Sequence, residues 1–165
     1  MADRTIADRL QPSLLDRLTD DEPRNLKEGR EARVIDVRRL RDIISRDLSW
    51  LLNTSNQESS LDAKVYPNVL NSTLNYGIRE VAGDFSTTRR AQEIQKSIRQ
   101  AVERFEPRIA SDSIRVDLRS DTEVSNTIIH FDIRAIMWAQ PMPQELFMRT
   151  QVNLVTGELS LDRSG

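Results

Sequence analysis

The hydrophobic period of the chain changes once, and that change divides it. Up to Pro107 apolar residues recur at steps of three and four, and beyond it they alternate. A period of 3.6 lays an apolar stripe along a helix, whereas a period of 2 lays an apolar face along a strand. Helices grouped first and strands grouped second specify an α+β fold rather than a doubly wound one. The expectation is N-terminal helices followed by a small antiparallel sheet with a C-terminal hairpin.

The strongest helical stripe is Val37, Leu40, Ile44, Leu48, Leu51 and Leu52, with Arg38, Arg39, Arg41, Asp42 and Arg46 on the opposite side. Asp36 is placed to cap its start, and Asn53 to Asn56 supply turn chemistry at its end. Tyr66-Pro67 predicts a shorter helix in which Val69, Leu70, Leu74 and Ile78 face a core, with Gly77 near its end, where a positive φ is cheap. Ala91, Ile94, Ile98, Ala101, Val102 and Phe105 predict a third helix, capped by Ser86, Thr87 or Thr88 and stopped by Pro107.

Beyond Pro107, Ile114, Val116 and Leu118 alternate with Arg115, Asp117 and Arg119. A longer strand over 127–138 turns Ile129, Phe131, Ile133 and Met137 to one face before Pro141 and Pro143 end it. The last segment, 145–161, reads as two strands joined at Val155-Thr156-Gly157, with Leu146, Met148, Val152 and Leu154 on the apolar side.

Ahead of the main helices, Ile6, Leu10, Leu14, Leu15 and Leu18 form a short amphipathic pattern interrupted by Pro12. A charged, proline-punctuated stretch then runs from Asp20 through Gly29. The expected organisation is an arm and linker over 1–30 and an α+β domain over 31–165. The arm is too short to bury its leucines against itself, so it reads as a frayed tail or as a peptide that docks on a partner.

Composition removes several function classes. Basic and acidic residues number 24 and 26 and are interspersed, so no broad positive field exists to grip a phosphate backbone, and nucleic acid is excluded as the main partner. Without cysteine there is no disulfide frame, no thiolate zinc site and no thiol nucleophile. Asp3, Arg4, Asp8 and Arg9 break any signal-peptide core, and no stretch approaches the roughly 20 apolar residues of a membrane span. A soluble, cytoplasmic protein without direct membrane insertion is expected, one that can still attach to a membrane complex.

His130 is the only histidine, and Asp132 beside it lacks further ligands, so neither a metal centre nor a serine triad is expected. The five glycines are scattered and build no phosphate loop, so no cofactor is expected. Glu103, Glu106, Asp112 and Asp117 are carboxylates of the kind a cell-wall glycoside hydrolase uses, yet nothing marks a pair, and 5% aromatic content leaves few rings to stack on sugars. The bend Glu106-Pro107-Arg108 is a stiff corner presenting two opposite charges. Either Pro107 merely stops the helix, with Glu106 solvated and Arg108 on helix carbonyls, or the corner aims Arg108 at a neighbour's carboxylate.

Arg46-Asp47-Leu48-Ser49-Trp50-Leu51-Leu52-Asn53-Thr54, Ser72-Thr73-Leu74-Asn75-Tyr76-Gly77, Glu106-Pro107-Arg108 and the arm Ser13-Leu14-Leu15-Asp16-Arg17-Leu18 resemble, in order and spacing, the TssE family of type VI secretion baseplates and its phage-tail wedge relatives. The resemblance implies a structural, non-catalytic wedge subunit in the cytoplasm, in a membrane-docked baseplate. Its implied partners are the wedge proteins TssF, TssG and TssK and the sheath subunits TssB and TssC. It further implies that an exposed β edge starts sheath polymerisation by strand addition. Glu106, Pro107 and Arg108, with Leu14, Leu15 and Leu18 of the arm, are the implied contact residues. Arg108→Ala is expected to weaken sheath assembly and leave the fold intact. The competing classes are the lysozyme-like hydrolase and a generic adaptor domain.

Overall fold

The computed structural model describes residues 13–19, 23–24, 35–62, 64–82, 88–119, 127–139 and 142–163. Among these, helices α1 (Leu14–Leu18), α2 (Val37–Leu52) and α3 (Thr88–Phe105) precede strands β1 (Arg115–Leu118), β2 (Ile128–Met137), β3 (Gln144–Asn153) and β4 (Leu159–Arg163). The strands form one antiparallel meander in the order β1-β2-β3-β4, ending in the expected hairpin. The expected arm residues Ile6, Leu10 and Pro12, the caps Ser86 and Thr87, and Pro141 lie outside the described residues. So does most of the expected linker, of which residues 23–24 are described, in a turn.

Helix α2 begins where the Asp36 carboxylate accepts the Arg39 N–H at 2.7 Å. It buries Leu40, Ile43, Ile44, Leu48, Leu51 and Leu52, which adds Ile43 to the expected stripe. Helix α3 starts at Thr88 as its first helical residue rather than its cap, and buries Ala91, Ile94, Ile98, Ala101 and Val102. The two helices pack on each other and on one face of the sheet, α3 beside β1 and α2 beside β4. That face supplies Val116, Ile129, Phe131, Ile133, Ala135, Met137, Leu146, Met148, Val152 and Leu159, all buried, so alternation along each strand becomes one apolar layer under two helices. Leu118 continues the alternation but sits at the rim, 44% exposed.

The segment between α2 and α3 departs from expectation. In place of a helix from Tyr66-Pro67 there is a chain of turns with one 3₁₀ turn at Thr73–Asn75. Leu74 is exposed and Val69 and Leu70 are half-buried, so only Ile78 of the expected apolar face enters the core. The competing force is side-chain bonding to the backbone, which Ser and Asn offer in place of helical bonds. Ser72 accepts the Leu74 N–H at 3.3 Å, and fully buried Asn75 accepts the Gln57 N–H and donates to the Leu70 carbonyl, both at 3.0 Å.

This folded-back loop closes on the end of α2. Ile78 N–H donates to the Thr54 carbonyl and Asn56 N–H to the Ile78 carbonyl, both at 2.8 Å. The approach requires Gly77, whose φ is +118° and where an added Cβ would lie 2.1 Å from the Thr54 carbonyl oxygen. We expect Gly77→Ala to cost about 2–4 kcal/mol, from backbone strain and forced separation of the loop. For a chain of this size that lowers the melting temperature by about 5–15 °C, measurable by calorimetry. An unchanged melting temperature would show that the loop does not brace α2.

Candidate docking site

The corner after α3 is fixed from both sides. Glu106 N–H still donates to Val102 at 3.0 Å, as in a helix, and Pro107 then ends the pattern. Arg108 is tied to the end of β2, because its carbonyl accepts the Trp138 N–H at 2.8 Å and Ala110 N–H donates to Ile136 at 2.9 Å. The bend is thus a rigid joint between helix and sheet.

Across Pro107 the two charges meet. Glu106 is only 4% exposed, and its Oε1 accepts both the Arg108 N–H at 3.1 Å and Nε at 2.7 Å, while Oε2 accepts Nη2 at 2.5 Å. This bidentate fork is the strongest geometry available to a guanidinium and a carboxylate. Nη2 also donates to Asp47 Oδ2 of α2 at 2.6 Å. The other oxygen of Asp47 accepts from Arg46 Nε at 2.9 Å and Nη2 at 2.7 Å, and Arg46 Nη1 reaches Asp16 Oδ1 of α1 at 2.6 Å. Five groups of alternating sign therefore run from the arm to the corner. Among the described residues, Nη1 of Arg108 meets no acceptor.

Beside this chain lies a shallow groove of about 260 Å³ lined by Leu15, Asp47, Trp50, Leu51, Tyr76, Phe105, Glu106 and Arg108. Tyr76 and Phe105 meet edge to face, with centroids 5.3 Å apart, and the Arg46 guanidinium lies 4.9 Å from the Trp50 ring centre. Burial opposes the charge of Arg108, but the bonds from Glu106 and Asp47 outweigh it and raise its pKa above the ordinary arginine value. Burial, with the charges of Asp47 and Glu106, raises the Tyr76 phenol. Burial also works against the Asp16 carboxylate, yet the bonds from Arg46 and Ser13 prevail and hold it below the usual range.

The solvated-Glu106 reading is therefore overturned, since the carboxylate is buried and consumed by Arg108. Arg108 itself turns inward rather than standing clear, because two carboxylates of its own chain surround one side of it. Leu14, Leu15 and Leu18 are 73%, 47% and 75% exposed, and only Leu15 of the three lines the groove. Of the hydrolase candidates only Glu106 lines it. Glu103 pairs with Arg99 on the outside of α3, and Asp112 and Asp117 are exposed. His130 is half-buried on the outer sheet face, whereas Asp132 sits 3.9 Å from Arg119 and 4.0 Å from Arg149. Asp16, Arg46 and Asp47 are site residues that pattern reading passed over, because charges on a helix flank look like solvated surface.

Both outer strands are partly closed by helix side chains. Asn53, just after α2, accepts the Leu159 N–H at 2.9 Å and donates to the Leu159 carbonyl at 2.8 Å, so one amide takes the place of a neighbouring strand. Gln95 of α3 donates to the Val116 carbonyl on β1. Asn153 N–H donates to Glu158, so residues 158, 160 and 162 face β3 and residues 159, 161 and 163 face outward. Beyond Leu159 the outward groups of β4 meet no partner among the described residues.

Two outcomes follow from the charges. Arg108→Ala leaves Glu106 buried without its cation, which revises the expectation of an intact fold; we expect a loss of about 2–4 kcal/mol in urea or thermal unfolding. Arg108→Lys, which keeps charge but not the fork, should lose about half as much. Asp16 has a depressed pKa in the docked arm, so its contribution is complete above the ordinary carboxylate pKa and is lost as pH falls through the depressed value. Amide resonances of 13–19 should shift toward random-coil positions only once the pH has fallen below the ordinary carboxylate range, before the core unfolds. Arm signals that stay put down to the unfolding transition would contradict this.

The family model described as "Baseplate wedge protein gp25" matches residues 38–142, from the start of α2 through the loop, α3 and the corner to the end of β2. No curated protein and no solved structure matches the chain. The match covers well over half of the 165 residues and includes Asp47, Gly77 and the Glu106-Pro107-Arg108 joint. The chain belongs to the gp25 baseplate wedge family, which is the TssE family, and is a baseplate wedge protein of contractile phage-tail-like systems.

Proposed function

We propose that this chain is a non-catalytic wedge subunit of a type VI secretion baseplate, which binds other wedge proteins and starts contractile sheath polymerisation through an open β edge. The observation that carries the reading is the half-closed edge of β4. Asn53 occupies Leu159, which fixes the strand against α2, and the outward groups from Leu161 to the end of the strand stay available for a strand of another polypeptide.

The corner and the arm supply the second contact. A partner carboxylate can reach Arg108 Nη1 without displacing Glu106, and the groove rings beside it offer apolar area at the same place. The proposed partners are TssF, TssG and TssK at this surface and the sheath subunits TssB and TssC at the strand edge. Among the described residues no helix is long and apolar enough to cross a membrane, which fits a subunit working in the cytoplasm within a membrane-docked assembly. Supporting a non-catalytic role, both oxygens of the one candidate carboxylate in the groove are taken up by a guanidinium. The family itself is structural.

Arg163→Pro tests the edge, because position 163 faces outward and the substitution removes an N–H that β3 does not use. In cells carrying this variant and a fluorescent sheath subunit, sheaths should become several-fold rarer while the purified protein melts as the parent does. Normal sheath numbers in the variant would rule out β4 as the edge used.

A further inference from the structure

On the face of the sheet away from the helices, the register sets like charges against each other twice. Arg115 of β1 stands directly opposite Arg134 of β2, and two residues along the same strands Asp117 stands opposite Asp132. Pairs of this kind hold their Cβ atoms about 5 Å apart and repel. The acidic pair is balanced from within the fold, because the Nε atoms of Arg119 and Arg149 lie 3.9 and 4.0 Å from Asp132. The basic pair is not. Both arginines are exposed, and among the described residues neither has an ion-pair partner.

The two arginines line an open groove of about 500 Å³, together with Ser113, Ile136, Glu145 and Phe147. Arg134 sits opposite Phe147 of β3, with its guanidinium 5.5 Å from the ring centre. A guanidinium over a ring keeps its in-plane N–H groups available, so Phe147 holds Arg134 in place for an acceptor. Ile136, 41% exposed, is the next outward residue of β2 and stands opposite Glu145. Arg115 and Glu145 therefore occupy opposite corners of the array, with Arg134, Ile136 and Phe147 between them.

We infer that this groove seats one Asp or Glu side chain of a partner polypeptide between Arg115 and Arg134, with an apolar residue beside it on Ile136 and Phe147. A carboxylate there bonds both guanidiniums and removes their repulsion. The unbalanced pair calls for an anion, and its surroundings decide which kind. Glu145, Asp117 and Asp132 share this sheet face and repel a polyphosphate such as nucleic acid, as does the chain's net charge of −2. A single carboxylate flanked by apolar groups meets no such barrier, and arginine beside an aromatic ring is the composition of a protein interface. The groove shares no lining residue with the β4 edge or the corner, so its occupant is additional to the contacts of the wedge-subunit reading.

NMR titration of the isotope-labelled full chain with acetyl-Leu-Glu-Leu-amide, whose only charge is the carboxylate, tests the site. The Nε–H signals of Arg115 and Arg134, the Ile136 methyls and the Phe147 ring should move together and saturate in the millimolar range. Acetyl-Leu-Lys-Leu-amide should leave them in place. Arg134→Glu, at an exposed position, should melt as the parent does, weaken the acidic peptide by about ten-fold or more and admit the lysine peptide. Arg89→Glu, at the exposed start of α3, should bind the acidic peptide as the parent does. Inorganic phosphate should move the arginine signals only weakly and leave Ile136 and Phe147 unmoved. Absence of saturating shifts at these four residues, an equal response to the lysine peptide, or undiminished binding by Arg134→Glu would overturn the site. Phosphate that saturates the arginines at lower concentration than the peptide would make this a free-anion site and overturn the polypeptide occupant.

Discussion

The guanidinium of Arg108 is held through Nε and Nη2 by Glu106 and through Nη2 by Asp47, and three separate stretches of chain meet there. A helix end, the start of the sheet and the middle of α2 are thereby fixed relative to one another. Apolar packing brings α2 and α3 onto the sheet, but packing alone tolerates small slides between layers. A bidentate fork with a second carboxylate does not, because its bonds depend on direction as well as distance. The cost of keeping Glu106 at 4% exposure is met only while the cation is present, which makes the joint rigid and intolerant of losing either partner.

The same logic recurs at the sheet edges, where amides replace charges. An uncovered strand edge invites uncontrolled pairing, and proteins commonly blunt it with charge, proline or a covering element. Here Asn53 and Gln95 reach from the helices and occupy main-chain groups of β4 and β1. The blocking is local, so each edge is neither fully open nor fully closed. Partial closure narrows the register in which an incoming strand can pair, because a strand that slid past Leu161 would meet an amide already in use. An edge limited in this way favours one partner geometry over aggregation.

Fold class, the two long helices and the strands were legible because the period of the apolar residues changes at Pro107 and because Asp36 and Pro107 mark element ends by known chemistry. The corner was also legible as a motif, since Glu and Arg around a proline stand out. What escaped was everything fixed by polar side chains acting at a distance. Asn75 looks like a loop residue in sequence, yet it is fully buried and organises the turns that replace the expected helix. Tyr66-Pro67 with apolar residues at helical spacing suggested that helix, but propensity lost to the local bonds of Ser72 and Asn75. Asp47 is one charge among many on α2, and only the fold reveals that its two oxygens face different arginines from residues 46 and 108.

A structural subunit has to present several weak contacts in a fixed relation, since small surfaces add their effects only when a partner can engage them together. An apolar core does not specify such a relation at the surface, where solvent loosens each contact. Conductors of position are needed there, and in this chain they are short runs of alternating charge. Asp47 illustrates the economy of the arrangement, because one carboxylate with two acceptor sites sets the angle between the arm and the corner. The arm and the corner are thereby tied to one another at the surface, above the frame of the sheet and its two helices.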